Sequence, residues 1–461
     1  SAGGESLVSV GNSALFSTST QSLSDTPSSA GDLRDWTVSF WVYLNSQTAY
    51  QIIFSTEASG GNGAFQFGTI NNFSFLSHNS SGANHVFQVP TRAFRDIGWY
   101  HMVIRCSSTA NDGTAVYDNM NISIWANGEA QAVTSVPYNT PSGGPRMFSG
   151  GVQRIGAAVS TTPNYYVAEI VYLDGQKQNA DAFGQYDSTG TFWTPKSPDV
   201  IKELTFGTNG FYFDNATNPQ TDASGQGNNY TNNNSVTTTT HTPTSLSPVW
   251  NPLSTVGLTT RFPQLSVGNT TAGFSGSTSA RAMLTLPVFY NTHLEFTVTQ
   301  GSGSDTNYPF LQVFPYSTDD YNGDQLVNQS AAGGSGGTGL ASGASIPNWT
   351  TGDRVTLEID TTNGRIYVFI DGSAVNSANP GAGSGFTFDF TMPASGQLAI
   401  VWISQTSAGK TVVVSNPAEF TDSVSAGYFG LTSTIVAAQT TRTKSNLEEY
   451  FDSTTYEGNG A

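Results

Sequence analysis

The sequence is poor in cysteine, in charge and in long apolar runs, and each shortage excludes something. Cys106 is its one cysteine, so no internal disulfide can form and stability has to come from packing and hydrogen bonds. Lys and Arg number 16 and Asp and Glu 33, so charged residues make up only 11% of 461 and the formal net charge is −17. An ordinary soluble domain carries about 25% charged residues. Sixteen basic residues spread over this length do not form the footprint that neutralises nucleic-acid phosphates. A long coiled coil or a surface-helical bundle needs far more Glu, Lys and Arg. No apolar run approaches the ~18 residues of a membrane helix; the longest, Leu398 to Ile403, has the length of a buried strand. Ser1 to Val10 has neither the basic nor the apolar region of a signal peptide, and the absence of an initiator Met leaves room for a processed leader.

What is present points to β-structure. Gly (49) and Pro (20) together with abundant Ser, Thr and Asn favour turns and exposed strand faces over helix interiors. With 28 Phe, 19 Tyr and 8 Trp, and 37% hydrophobic residues, there is ample apolar surface to bury, which argues against disorder throughout. The length is about three times a ~150-residue domain, so two or three domains are expected.

Residues 1–200 read as one β domain. Trp36, Val38, Phe40, Val42 and Leu44 alternate onto one face of a strand. Trp99 to Arg105 is a second strand, Ile122 to Ala126 a third that runs into the hairpin pair Asn127-Gly128, and Tyr165 to Leu173 a fourth, closed by Asp174-Gly175. Residues 201–255 change texture. They hold an aromatic stretch, Gly207 to Asp214, then the polar tracts Asp222 to Asn229 and Asn232 to His241, and read as a bridge with Thr237–Thr240 as solvated linker. A second β domain occupies 256–415. Its clearest element is the hairpin Arg354 to Ile370 around Asn363-Gly364, with Val355, Leu357 and Ile359 facing inward and Thr356, Glu358 and Asp360 facing water. Gln397 to Ser404 reads as a central strand and Ala331 to Ala344 as a flexible loop. Residues 416–461 form a C-terminal extension that reads as a tail from Thr440. Both domains contain an alternating strand ending in a two-residue turn, and two antiparallel sandwiches of similar plan follow.

Trp99-Tyr-His-Met-Val-Ile-Arg105, followed by Ile122-Ser-Ile-Trp-Ala-Asn-Gly128 and Tyr166 to Gly175, resembles the core of laminin-G-like, concanavalin A-like jelly rolls. Phe183-Gly184, Trp193 to Lys196, Gly207 to Phe213 and Asp222 to Asn229, up to Asn251-Pro-Leu253, resemble a string found in virion proteins of tailed bacteriophages. There it links a laminin-G-like domain to a SPRY-like one. Gly352-Asp353, Leu357 to Asp360 and Asn363 to Gly372 are similar to the SPRY core hairpin. The resemblance covers roughly residues 36 to 415. Beyond Ser404 the chain departs from it, lacking the aromatic, Pro-rich ending of the SPRY-like copies. It implies a structural protein at the virion surface, a homo-oligomer in contact with other capsid or tail proteins.

Candidate chemistry is sparse. Jelly-roll endoglucanases carry three carboxylates at i, i+2 and i+5, flanking the scissile bond. The nearest match is Glu358, Asp360 and Asn363, and an amide in the third position cannot titrate. Gly333-Gly-Ser335-Gly-Gly337 fits a nucleophile elbow on paper, but it lies in a Gly/Ser tract rather than between strand and helix. Asp320, Asn322 and Asp324 have the 1-3-5 spacing of a calcium loop. The glycine falls at position 4 instead of 6, however, and Ala331 stands where a bidentate Glu belongs, so a polar turn is the plainer reading. Laminin-G-like domains often bind calcium; the resemblance places no ligands here, and no other cofactor is expected. His78, His85, His101, His241 and His293 form no zinc pattern. His101 reads as a satisfied structural histidine and Cys106 as a small core residue without a His/Asn partner. Phe73, Phe75, Tyr138 with Asn139, Tyr316 and Tyr321 have the composition of sugar-stacking loops, and no binding site is nominated among them.

The expectation is an all-β chain of two concanavalin-like sandwiches. Its role is non-enzymatic and structural, on the exterior of a bacteriophage particle as head decoration or fibre or as a tail-associated fibre, with host-surface glycans as a further partner. No nucleic acid and no membrane insertion enter. A carbohydrate-binding lectin acting in host adsorption is the alternative class, and a glycan hydrolase the third.

Overall fold

The computed structural model describes residues 8–45, 51–58, 61–67, 73–78, 84–89, 94, 98–108, 120–137, 148, 150–156, 163–187, 193–251, 264–274, 280–299, 310–316, 325–329, 337–344, 351–404 and 410–432. Contacts divide the chain into two units, Ser1–Ser245 and Leu246–Ala461. Each is built from two main sheets, antiparallel apart from one short parallel pair, so the chain is nearly all β in tandem concanavalin-like sandwiches.

In the first unit the strand Asp35–Leu44 lies between Trp99–Ser108 and Tyr165–Asp174. Its alternation drives Trp36, Val38, Phe40, Val42 and Leu44 into the core, where they join Met102, Ile104 and Cys106. From the opposing sheet come Phe54, Phe65, Phe67, Phe73 and Phe75. Phe73 and Phe75 are therefore fully buried strand residues, not loop aromatics open to a sugar.

The other face of the first sheet is buried as well: Thr37, Ser39, Trp41 and Tyr43 are at most 4% exposed. The chain after Asp174 returns across that face and packs Ala180, Phe183, Ile201, Phe206 and Tyr212 on Val103, Val171 and Leu173. Most of the stretch read as a bridge is thus built into the first unit. Phe211–Phe213 pairs with Tyr165–Asp174, Thr231–Asn233 with Ser22–Asp25, and Thr237–Thr239, read as linker, with Ser13–Phe16. Several of its polar side chains bond to backbone. Asp222 accepts from the amides of Tyr212, Ser224 and Asn228, and the Asn228 amide group donates to Thr208 O and Gly210 O. Satisfied loop backbone of this kind is what lets a polar segment sit against a sheet.

In the second unit Thr292–Thr299 lies between Arg354–Asp360 and Lys410–Val414. In the hairpin Arg354–Asp360 to Arg365–Ile370, Asp360 lies opposite Arg365, so the turn spans the four residues Thr361 to Gly364 rather than Asn363-Gly364 alone, and a shift of two residues leaves Val355, Leu357 and Ile359 facing inward. The second sheet centres on Leu398–Ser404, flanked by Ala280–Met283 and Phe310–Pro315. Trp250, Phe296, Leu357, Ile366 and Trp402 are buried in the core of this unit. Here one expectation is overturned: Thr356, Glu358 and Asp360 do not face water but are 1%, 1% and 6% exposed. The segment after Asn416 covers them. Its Phe420 ring packs 4.7 Å from His293, and its Phe429–Gly430 strand pairs in parallel with Thr292–His293. Ala331 to Ala344, read as a loop, includes the short strand Gly337–Thr338. Residues 331–336 and the tail from Thr440 lie outside the described residues.

Candidate functional site

Titratable side chains collect in one buried cluster in the second unit. His293 and Glu358 stand opposite each other on neighbouring strands, and Glu295 follows two residues later on the His293 strand, so period-two alternation puts all three on the sheet's outer face. His293 Nδ1 is 3.0 Å from Glu358 Oε1 and Nε2 is 3.4 Å from Glu295 Oε1. The covering segment supplies the remaining partners. Thr421 N and Asp422 N donate to Glu295 at 3.0 and 2.6 Å, and Ser425 N donates to Glu358 Oε1 at 2.8 Å. Asp422 accepts from Arg354 and Thr356 at the rim. Burial works against its charge, yet the bonds from Arg354 and Thr356 prevail and hold its carboxyl below the usual range.

The three positions weighed for glycosidase chemistry are consumed structurally. Glu358 belongs to this sealed cluster. Asp360 is a turn brace, accepting from Thr362 N, Asn363 N and Asn363 Nδ2 at 2.9, 3.0 and 2.7 Å. Asn363 sits in the turn itself.

In the first unit His101 and Glu169 are buried titratable groups with strongly shifted pKa values. His101 lies between Ser39 and Trp193 and stacks on Trp41 at 4.7 Å; burial pushes its pKa from 6.5 down to about 3, so it is neutral at physiological pH. Glu169 sits where the register of Tyr165–Asp174 shifts, in the left-handed region at φ 52°. Its carboxyl accepts from the Tyr212 hydroxyl, and burial, outweighing that bond, raises its pKa to about 8. Neither group opens to solvent, as both side chains are at least 94% buried.

An open feature lies at the tip of the second unit's hairpin: a shallow groove of about 510 Å³ lined by Thr362, Asn363, Asp389, Phe390, Thr391 and Met392. Phe390 N donates to Gly364 O at 2.8 Å and Asp389 N to Gly339 O at 2.7 Å, so both walls are tied to the sheet. Sequence reasoning found Asn363 as a turn residue and missed the groove, because Asp389 to Met392 arrive from a segment some 25 residues later.

Other sequence candidates fall elsewhere. Asp320, Asn322, Asp324, Tyr321, Tyr138, Asn139 and Ser335 lie outside the described residues. Tyr316 is half-buried beside Met283, Phe314, Ala399 and Val401. Cys106 is buried in the core with its thiol pushed up to about 12, chiefly by burial. Among the described residues no group of three or more His, Cys, Asp or Glu is arranged to hold a metal ion, and no helix is long and apolar enough to cross a membrane.

Comparison with known proteins agrees with this architecture. Residues 17–169 match the family model of the concanavalin A-like lectin/glucanases superfamily, laminin G type. Among solved structures, domains LG4-5 of the mouse laminin alpha1 chain are 10% identical, covering 94% of this chain and 89% of that one, at a TM-score of 0.32. A heptameric pentraxin from Limulus polyphemus is 13% identical over 37% and 80% of the two chains, at 0.27. The SPRY domain of human HERC1 is 12% identical over 32% and 87%, at 0.23. These are likenesses of fold. A search of curated proteins returns no matching sequence.

Proposed function

We propose that this chain is a non-catalytic structural protein displayed on the exterior of a bacteriophage particle, assembled as a homo-oligomer and in contact with other capsid or tail proteins. The observation that carries the non-catalytic part is the fate of its carboxylates: Glu358 and Glu295 are sealed under the segment after Asn416, and Asp360 braces a turn. The virion part is supported by the order of motifs along the sequence, a laminin-G-like core, the string from Phe183 to Leu253, then a SPRY-like hairpin. Low charge and polar, Ser/Thr-rich loops suit extended contacts with neighbouring subunits.

Immunogold electron microscopy of purified particles, with antibody raised against the recombinant chain, tests this. Label on capsid or tail at a stoichiometry set by particle symmetry supports it and decides between head and tail. Unlabelled particles overturn it. A hydrolase would release reducing ends from glycans and stop doing so in Glu358→Gln; the expected result is no release from either protein.

A second reading, a glycan-binding protein acting in host adsorption, is favoured by the hairpin groove, which sets polar acceptors beside Phe390. It predicts binding of the purified chain to host cells, with competition by free sugar.

A further inference from the structure

We propose that the groove at the tip of the Arg354–Ile370 hairpin binds an uncharged sugar through its hydroxyl groups, and that Asp389 is the principal acceptor. The inference rests on the glycan-binding reading and adds to it a site and a ligand class.

The chemistry of the lining is one-sided. The Asp389 side chain is exposed and makes no hydrogen bond or ion pair among the described residues. Asn363 donates its amide N–H to Asp360 Oδ2, which leaves Oδ1 as its free polar atom. Thr362 and Thr391 add hydroxyls, each a donor and an acceptor. No Lys, Arg or His lines the groove. The nearest cation in sequence, Arg365, is engaged elsewhere: Nη1 donates to Gly383 O at 3.2 Å and the guanidinium lies 4.3 Å from the Phe386 ring centroid. A carboxylated, sulfated or phosphorylated ligand would meet the Asp389 carboxylate, while Arg365, opposite Asp389 across the strand pair, directs its guanidinium to Gly383 and Phe386 rather than into the groove, on a chain whose net charge is already −17. A polyol presents the complementary set: several O–H donors for Asp389 and Asn363 Oδ1, and a C–H face for Phe390 and Met392.

The backbone that carries these groups is also held in place before any ligand arrives. Asp360 fixes Thr362 and Asn363 through three hydrogen bonds. Gly364 and Phe390 approach so closely that a Cβ on Gly364 would stand 1.9 Å from Phe390 O, and Phe388–Asp389 pairs with Arg365–Ile366. With the backbone and Asn363 held, the Asp389 side chain is the main group that has to be ordered on binding, which suits a small ligand with weak individual contacts.

The test is ligand-observed NMR on the full chain with galactose, glucose, mannose and N-acetylglucosamine, against N-acetylneuraminic and glucuronic acids. Asp389→Ala and Asp389→Asn serve as variants, with circular dichroism as the check on folding. Asp389 is exposed, so both variants should fold. The expected result is saturation transfer from a neutral sugar, with affinity falling about tenfold or more in Asp389→Ala, and no transfer from the acids. Neutral-sugar binding that survives both substitutions places the sugar elsewhere and overturns this site while leaving the glycan reading standing. Preference for the acids overturns the ligand class. No sugar bound at millimolar concentration overturns the inference and the glycan reading together, and leaves the virion reading to the labelled particles.

Discussion

Trp193 Nε1 donates a 2.9 Å hydrogen bond to His101 Nδ1, and that bond fixes the imidazole's tautomer. With Nδ1 accepting, the proton sits on Nε2 and points to Ser39 Oγ at 2.8 Å. The same tryptophan closes over the Asn127-Gly128 turn, since a Cβ on Gly128 would stand 2.4 Å from its ring. Asn127 in turn is tied to His101 twice, its Oδ1 accepting from His101 N and its own N–H donating to His101 O, both at 2.8 Å. A residue some 90 positions away along the chain thereby locks a central strand to its own hairpin.

Replacing His101 with Phe should leave Ser39 Oγ and Trp193 Nε1 without partners, at about 1–3 kcal/mol for each buried group stranded. Trp193→Phe removes the donor and part of the packing, and its cost should fall on the same amides. Hydrogen exchange reads each unit separately. The expected outcome is lost protection in Trp99–Ser108 and Met120–Ala126 with the second unit unchanged. Equal loss in both units would refute the assignment.

The first unit should be most stable near mildly acidic to neutral pH, for two opposing reasons. The folded pKa of His101 is depressed from 6.5 to about 3, so its contribution is complete above 6.5 and is lost as pH falls toward 3. Glu169 is raised from 4.5 to about 8, so its contribution is complete below 4.5 and is lost as pH rises toward 8. Glu169→Gln keeps an acceptor for Tyr212 and has no charge to bury; it should flatten the alkaline limb only. His101→Gln should flatten the acid limb only. Urea midpoints of the first unit measured from pH 3 to 9 check both, and a limb unmoved by its own variant would exclude that group as the cause.

The strands were legible because their periods are clean. Trp36 to Leu44 alternates as read, and the hairpin forms around Asn363-Gly364 with a turn two residues longer than that pair, which keeps Val355, Leu357 and Ile359 inward. What alternation cannot show is whether the polar face meets water. Thr356, Glu358 and Asp360 have the pattern of a solvated face, and only the arrival of residues 416–430 buries them. The same holds for Ser39 and His101 under the chain that follows Asp174. Covering segments rich in Asn, Asp and Gly look like linkers in composition, because their contribution is made by side chains bonding to backbone, which leaves no hydrophobic period. The groove was hidden for a related reason: Asn363 and Asp389 become neighbours only once a short strand returns to Arg365–Ile366.

Glu295 should control the covering segment of the second unit. It accepts the amides of Thr421 and Asp422, while Arg354 and Thr356 hold the Asp422 side chain. Glu295→Ala strands both amides and should cost about 1–3 kcal/mol for each, less whatever water reaches them. Glu295→Gln retains an acceptor and should cost less. The measurement is exchange protection at Thr421, Asp422 and Ser425, expected to fall in the order wild type, Gln, Ala. Arg354→Ala should loosen Asp422 more weakly, because that pair lies at the rim and solvent screens it. If Arg354→Ala freed the segment and Glu295→Ala did not, the rim pair rather than the buried acceptors would be holding it.

Gly364 and Gly396 offer a matched pair of substitutions at one backbone conformation, with φ 67° at both. A side chain in this left-handed region costs about 1 kcal/mol wherever there is room for it. Around Gly396 no atom lies within 4 Å of an added Cβ, so Gly396→Ala should lose that amount and little else. At Gly364 the added Cβ would stand 1.9 Å from Phe390 O, and a backbone atom tied by its own strand cannot swing aside like a side chain end. Gly364→Ala must therefore pay for a displaced backbone as well, and should be destabilised by about 1–3 kcal/mol more, the usual range for forced overpacking. It should also weaken the Phe390 N to Gly364 O bond, so exchange at the Phe390 amide should rise in this variant and stay fixed in Gly396→Ala. Equal stability of the two variants would mean that the hairpin tip and the Phe390 segment are not in the close contact that shapes the groove.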